Sequence, residues 1–177
     1  AGVVHREIIV PDGAPLWLAD RQALWSTVEQ METRKDAQLA REINIALPHE
    51  LSRDQQRELV QSFVRQQFVS LGMVADFAIH EPVKEKGDDP RNVHAHIMLT
   101  LRRATPQGLD LVKTRAWNSR QALDHWREMW ALTANRALRD SGRSERIDHR
   151  TLRDQRESAK AKGDLATAME LDRAPEI

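Results

Sequence analysis

His94 and His96 stand two residues apart in the run NVHAHIMLTLRR, residues 92–103. If that run is extended, both imidazoles leave one face, because side chains alternate along a strand. Val93, Ala95, Ile97, Leu99 and Leu101 then form the opposite, apolar face. A further histidine, His80, lies in MVADFAIHEPV, residues 73–83. Met73, Ala75, Phe77 and Ile79 share one face of that run, and Asp76 and His80 share the other. The polar stretch KEKGDDPR (84–91), with Gly and Pro, reads as a turn. A hairpin across it would set His80 beside His94 and His96. Such a cluster suits Zn, Mn, Fe, Ni or Cu and leaves coordination positions open for substrate. An ion held there could polarise a phosphoryl oxygen, worth several kcal/mol of transition-state charge stabilisation. The plainer reading is a solvated polar face. Three histidines on one face across one turn favour the metal.

Glu42 belongs to the alternating run QLAREINIAL, residues 38–47. Leu39, Arg41, Ile43, Ile45 and Leu47 point one way; Ala40, Glu42, Asn44 and Ala46 point the other. The Glu42 carboxylate could accept a hydrogen bond from a ligand imidazole and fix its tautomer, or serve as a general base. His5, His49, His125 and His149 lack such partners and read as surface residues. Trp17, Trp25, Trp126 and Trp130 read as core. Trp117, in a loop beside Arg115, is the better candidate for stacking on a base. The sequence contains no cysteine, which removes thiolate ligands, disulfides and cysteine nucleophiles together. It also contains no tyrosine.

The elements that must position these groups follow from periodicity. Val3–Val10 reads as a strand rich in β-branched residues, broken by Pro11-Asp12-Gly13. Asp20 can cap a helix reaching about Arg34, with Leu24, Trp25, Val28 and Met31 at helical spacing. The 38–47 strand ends at Pro48. Ser52 and Gln55 then form a capping box for a helix that buries Val60, Phe63, Val64, Phe68 and Leu71 and ends at Gly72. The two histidine strands follow, then a loop with Pro106 and Gly108. A long helix over about 119–140 buries Leu123, Trp126, Trp130, Ala134, Ala137 and Leu138. Ser141-Gly142 closes it, and residues 151–171 read as helical. The expected fold class is α+β, a mostly antiparallel sheet with helices packed on one face and a polar face left open. Residues 1–150 form the expected domain, and 151–177 a charged helical extension or linker.

The 177 residues balance 27 Lys and Arg against 27 Asp and Glu, but unevenly. Residues 1–100 carry −4, residues 101–163 carry +7 and residues 164–177 carry −3. The basic segment could track phosphates, or could be a solvated helical face. Arg102, Arg103, Arg115 and Arg120 cluster just after the histidine strand and are expected phosphate contacts, with Arg41 as a further DNA-binding candidate. No apolar run approaches 18 residues and no signal peptide opens the chain, so a cytoplasmic location is expected.

These runs resemble the MobA/MobL family of conjugative relaxases, especially the TraA type of soil-bacterial plasmids. The resemblance rests on RKDAQLAREINIALPHELS (34–52), GMVADFAIHEP (72–82), NVHAHIMLT (92–100), WREMWALTANRAL (126–138) and RIDHRTL (146–152). DRAPEI (172–177) resembles the start of a further family segment. AIH with NVHAHIMLT matches the family's HUH signature and its additional histidine. The resemblance implies a palm-type sheet and nicking of one DNA strand at a plasmid transfer origin. A tyrosine attacks the scissile phosphate and stays joined to the 5′ end. It implies His80, His94 and His96 as ligands of Mg²⁺ or Mn²⁺, and Glu42 as an acidic residue assisting the tyrosine or a ligand histidine. It implies single-stranded or hairpin transfer-origin DNA, other transfer proteins and further domains of the full-length protein as partners.

In the family the nucleophilic tyrosine precedes the first strand of this sequence, and no tyrosine stands here. The chain is therefore expected to bind metal, and not to form a phosphotyrosine adduct alone. The preceding segment is expected to supply another strand, leaving an exposed edge. Two other readings compete: a module that holds transfer-origin DNA without cutting it, and a metal-dependent phosphoesterase acting on a small molecule.

Overall fold

A computed structural model describes residues 2–83, 85 and 87–172. The DRAPEI run, apart from Asp172, lies outside the described residues. Four strands build the main sheet: β1 (Gly2–Ile9), β2 (Ala40–Ala46), β3 (Ala75–Glu81) and β4 (His94–Thr100). Their spatial order is β1-β3-β4-β2, and every neighbouring pair is antiparallel. The turn between β3 and β4 makes the expected hairpin, in the register His80↔His94 and Ala78↔His96.

Two amphipathic helices cover the apolar face, α2 (Arg53–Gln67) and α3 (Arg120–Asp140). The Ser52–Gln55 capping box forms as the sequence predicts and fixes where α2 starts. Phe63, Phe68, Trp126 and Trp130 from this layer pack on Phe77, Ile79, Ala95, Ile97 and Leu99 of the sheet. The rings meet edge-on, with Phe63–Trp130 centroids at 5.1 Å and Phe68–Trp126 at 5.4 Å, a favoured aromatic arrangement. Gly72, at φ +97°, ends the helical segment where only glycine adopts that backbone without strain.

Two features depart from the sequence reading. Residues 102–113 are a second, two-stranded sheet rather than a loop: β5 (Arg102–Thr105) and β6 (Gly108–Lys113), joined through Pro106 and Gln107. Thr100 makes the break between β4 and β5. Its hydroxyl accepts from the Val74 amide at 3.1 Å and donates to the Arg102 carbonyl at 2.9 Å. The second departure is α1 (Arg21–Gln30), which packs on the sheet face opposite α2 and α3. Leu24 and Val28 meet Leu18 and Val74 there, with Ile8, Val10 and Trp25 around them. Ile8 and Val74 share the parity of Asp76, so one end of the otherwise polar face is apolar enough to hold a helix.

Beyond Ser141, Ile147 packs back on the main core, and its backbone is bracketed by the Asn135 side-chain amide. Thr151 then caps α4 (Leu152–Ala161), and Asp164 caps α5 (Leu165–Glu170). Gly163, at φ +76°, lies in the break between them.

Candidate metal centre

The open face of the sheet carries His80 on β3 and His94 and His96 on β4. One ligand-capable atom from each lies within 4.8 Å of the others. Ring centroids are 4.8 Å apart for His80–His96, 5.2 Å for His94–His96 and 5.4 Å for His80–His94. All three residues are half-buried.

Two tautomers follow from the hydrogen bonds. His94 Nδ1 lies 3.0 Å from the Asn92 carbonyl oxygen, which can only accept, so Nδ1 carries the proton. His96 Nδ1 lies 2.8 Å from Glu42 Oε1 and donates to that carboxylate. In the neutral ring this tautomer keeps the Nε2 lone pair for a ligand, the form a metal-ligating histidine takes. Burial and the neighbouring His96 and His94 hold the His80 imidazole below its ordinary pKa. The neutral, ligating state of His80 therefore persists to lower pH than that of a free histidine. Three imidazoles on one face, an acceptor at Nδ1 of two of them and an open side toward solvent fit a divalent cation.

A groove of about 820 Å³ runs along the same face beside His96, lined by Val3, Arg6, Arg21, Trp25, Ala78 and Met98 among others. Asp76 forms part of its floor. Its carboxylate takes a fork from Arg21, at 2.6 and 2.8 Å, and a bond from Trp25 Nε1 at 2.9 Å. Helix α1 is thus pinned to the sheet at the side of the histidines.

A model of the MobA/MobL family matches residues 1–170. The chain belongs to the MobA/MobL family. Among its MobA/MobL relatives, conjugal transfer protein TraA of Agrobacterium fabrum is 43% identical over 63% of this chain and 10% of its own length. Mobilization protein MobL of Acidithiobacillus ferridurans is 34% identical over 85% of this chain and 46% of its own length. The chain thus spans from a tenth to just under half of these relatives. A solved structure described as the molecular basis of vancomycin resistance transfer in Staphylococcus aureus superposes with a TM-score of 0.73. It is 31% identical, and the match covers 84% of this chain and 76% of that one.

The candidate residues separate in space. His80, His94, His96 and Glu42 converge as their parity predicts. The arginines do not form one exposed cluster. Arg41 is 8% exposed and lies on the helix face under Trp117 and Trp126. Arg102 is tied to Glu32 at 3.0 Å and donates to the Leu111 carbonyl, so its charge is already matched. Arg120 is exposed and pairs with Asp124 one helical turn on. Arg103 and Arg115 are exposed. Trp117 is packed between Phe68 and Trp126 and is not an open stacking platform. Sequence reasoning missed the Asn92 carbonyl, because a backbone acceptor has no residue signature, and the Asp76–Arg21–Trp25 group, in which Asp76 is more than 50 residues from the other two. The β5–β6 hairpin did leave a signal, two short apolar-bearing runs flanking Pro-Gln and a glycine.

Proposed function

We propose that this chain is the metal-binding part of a DNA-nicking domain that acts on one strand at a plasmid transfer origin. The observation that carries the reading is the convergence of His80, His94 and His96 with the Nδ1 groups of His94 and His96 already committed to acceptors. The conjugal transfer and mobilization relatives support it.

The reaction proposed is a transesterification. A tyrosine oxygen bonds to phosphorus, the P–O3′ bond breaks, and the 3′ oxygen leaves as a hydroxyl. No residue of this sequence supplies the tyrosine. Mg²⁺ or Mn²⁺, when bound, polarises the scissile phosphate. His80, His94 and His96 would hold it, each through one ring nitrogen. Glu42 positions His96, keeping its Nδ1 protonated and its Nε2 basic. Half-burial of the three histidines keeps part of the surrounding water away, which strengthens charge interactions there. The groove beside His96 receives the strand, and Arg6 brings positive charge to its wall, Arg21 being already paired with Asp76.

Calorimetric titration with Mn²⁺ tests the reading. The intact chain is expected to bind one ion, and the His94→Ala/His96→Ala variant none. Equal binding by both, or no binding by the folded wild type, would reduce the histidines to a polar face.

A further inference from the structure

Arg41 is a buried cation without a counter-ion. Among the described residues no carboxylate pairs with it, and its Nη1 has no hydrogen-bond partner. Its Nη2 donates to the neutral amide oxygen of Asn118. The guanidinium carbon lies 5.7 Å from the Trp117 ring and 5.9 Å from the Trp126 ring. Cation–π attraction offsets part of the lost hydration, but isolated buried charge is ordinarily paired. Arg41 lines a groove of about 710 Å³ at the edge of β2, together with Gln38, Lys113, Thr114, Arg115 and Asn118.

The other charges around this groove cancel only in part, three cations meeting two carboxylates. Glu32 takes both Arg102 and Lys113, at 3.0 and 2.8 Å. Asp36 takes Arg34 at 2.6 Å. Arg115 has no carboxylate partner among the described residues. Five cations and two carboxylates leave three positive charges in excess, and Arg41 and Arg115 are the two cations of this groove without a carboxylate partner among the described residues. The groove is wider than a lone anion needs and suits a phosphate carried on a chain. It also lies next to the histidine face, since β2 is an edge strand and Arg41 adjoins Glu42, whose side chain takes the other face.

We propose that this groove binds a phosphodiester of the nucleic-acid strand handled on the histidine face, with Arg41, Arg115 and Asn118 as its contacts. The assignment to nucleic acid rests on the function proposed above; the anion site rests on Arg41.

Asn118→Asp tests it without removing a buried side chain. The new carboxylate gives Arg41 a counter-ion and occupies the place of the phosphate. Melting curves in chloride and in inorganic phosphate at equal ionic strength read the anion site. Phosphate is expected to raise the melting temperature of the wild type, whereas Asn118→Asp starts higher and does not respond. Arg115→Gln is expected to show a reduced response. Binding of single-stranded dT12 reads the source of the phosphate. Asn118→Asp is expected to bind about tenfold more weakly, with a salt slope shallower by about 0.7 for the lost contact, while Mn²⁺ binding is unchanged. No phosphate response in the wild type would show that the two indoles already satisfy Arg41 and would overturn the site. A phosphate response lost in Asn118→Asp with dT12 binding unchanged would overturn the nucleic-acid assignment. A wild type that responds to phosphate but binds no Mn²⁺ would sustain the groove and sink the metal reading instead.

Discussion

Glu42 and Asn92 do similar work by different chemistry. Each accepts the Nδ1 proton of a histidine, but one is a charged side chain and the other a backbone carbonyl. Only the first can be altered by substitution. Glu42→Gln keeps an acceptor oxygen and removes the charge, so the His96 tautomer survives while its basicity drops. Because Glu42 is more than half exposed, a loss of Mn²⁺ affinity of about tenfold is expected, the low end for such partners. Calorimetry on a variant with an unchanged melting curve checks it; wild-type affinity would show that Glu42 does not act through His96. The three histidines and Glu42 were legible because a period of two fixes which face each side chain takes. Arg41 was legible only in part. Its parity placed it with Ile43 and Ile45, on the covered face, yet its charge suggested a surface role.

Among the elements, α2 shows how local rules reach the site. Its capping box sets the helix start, and the helix then carries Val60, Phe63 and Val64 onto the back of the histidine strands. Ser52→Ala removes the side-chain acceptor for the Gln55 amide and is expected to cost about 1 kcal/mol, read by urea denaturation. Mn²⁺ affinity should not change, since the cap supports the sheet and not the ligands. A variant that lost metal binding at full stability would contradict that separation. The β5–β6 hairpin was harder to read. Its strands are short, and its pairing to the rest depends on distant groups: the Ala104 amide donates to the Gly72 carbonyl at 2.7 Å, and Gly108 lies against Trp17. Helix α1 was visible as a helix, but the choice of sheet face depends on Ile8 and Val74, which no local window brings together.

For the molecule as a whole, zero net charge conceals a polar distribution, with +7 over residues 101–163. Pairing within the segment leaves that net charge unchanged but occupies individual cations: Arg120, Arg139 and Arg150 each meet a carboxylate of the segment, and Arg102 meets Glu32 outside it. Strand binding should therefore engage few phosphates. Log affinity for single-stranded dT20 is expected to fall with log salt at about −0.7 per contact, giving a shallow but nonzero slope. A slope of zero would remove backbone contacts from the account, and with them the nucleic-acid role of the groove at Arg41. Among the described residues no helix is long and apolar enough to cross a membrane.

The order of the four main-sheet strands and of the longer helices, the face each strand residue takes and the pairing of the histidine strands were fixed by short-range patterns. Alternation, capping residues and turn residues act over a few positions and need no knowledge of distant chain. The side of the sheet that α1 covers, the partner of each arginine and the burial of Trp117 depend on residues tens of positions apart meeting in space. Arg102 reads as a phosphate contact until Glu32, 70 residues earlier, is found beside it. Arg41 reads as one more surface cation until α3 closes over it, because burial and charge compensation are properties of the packed chain.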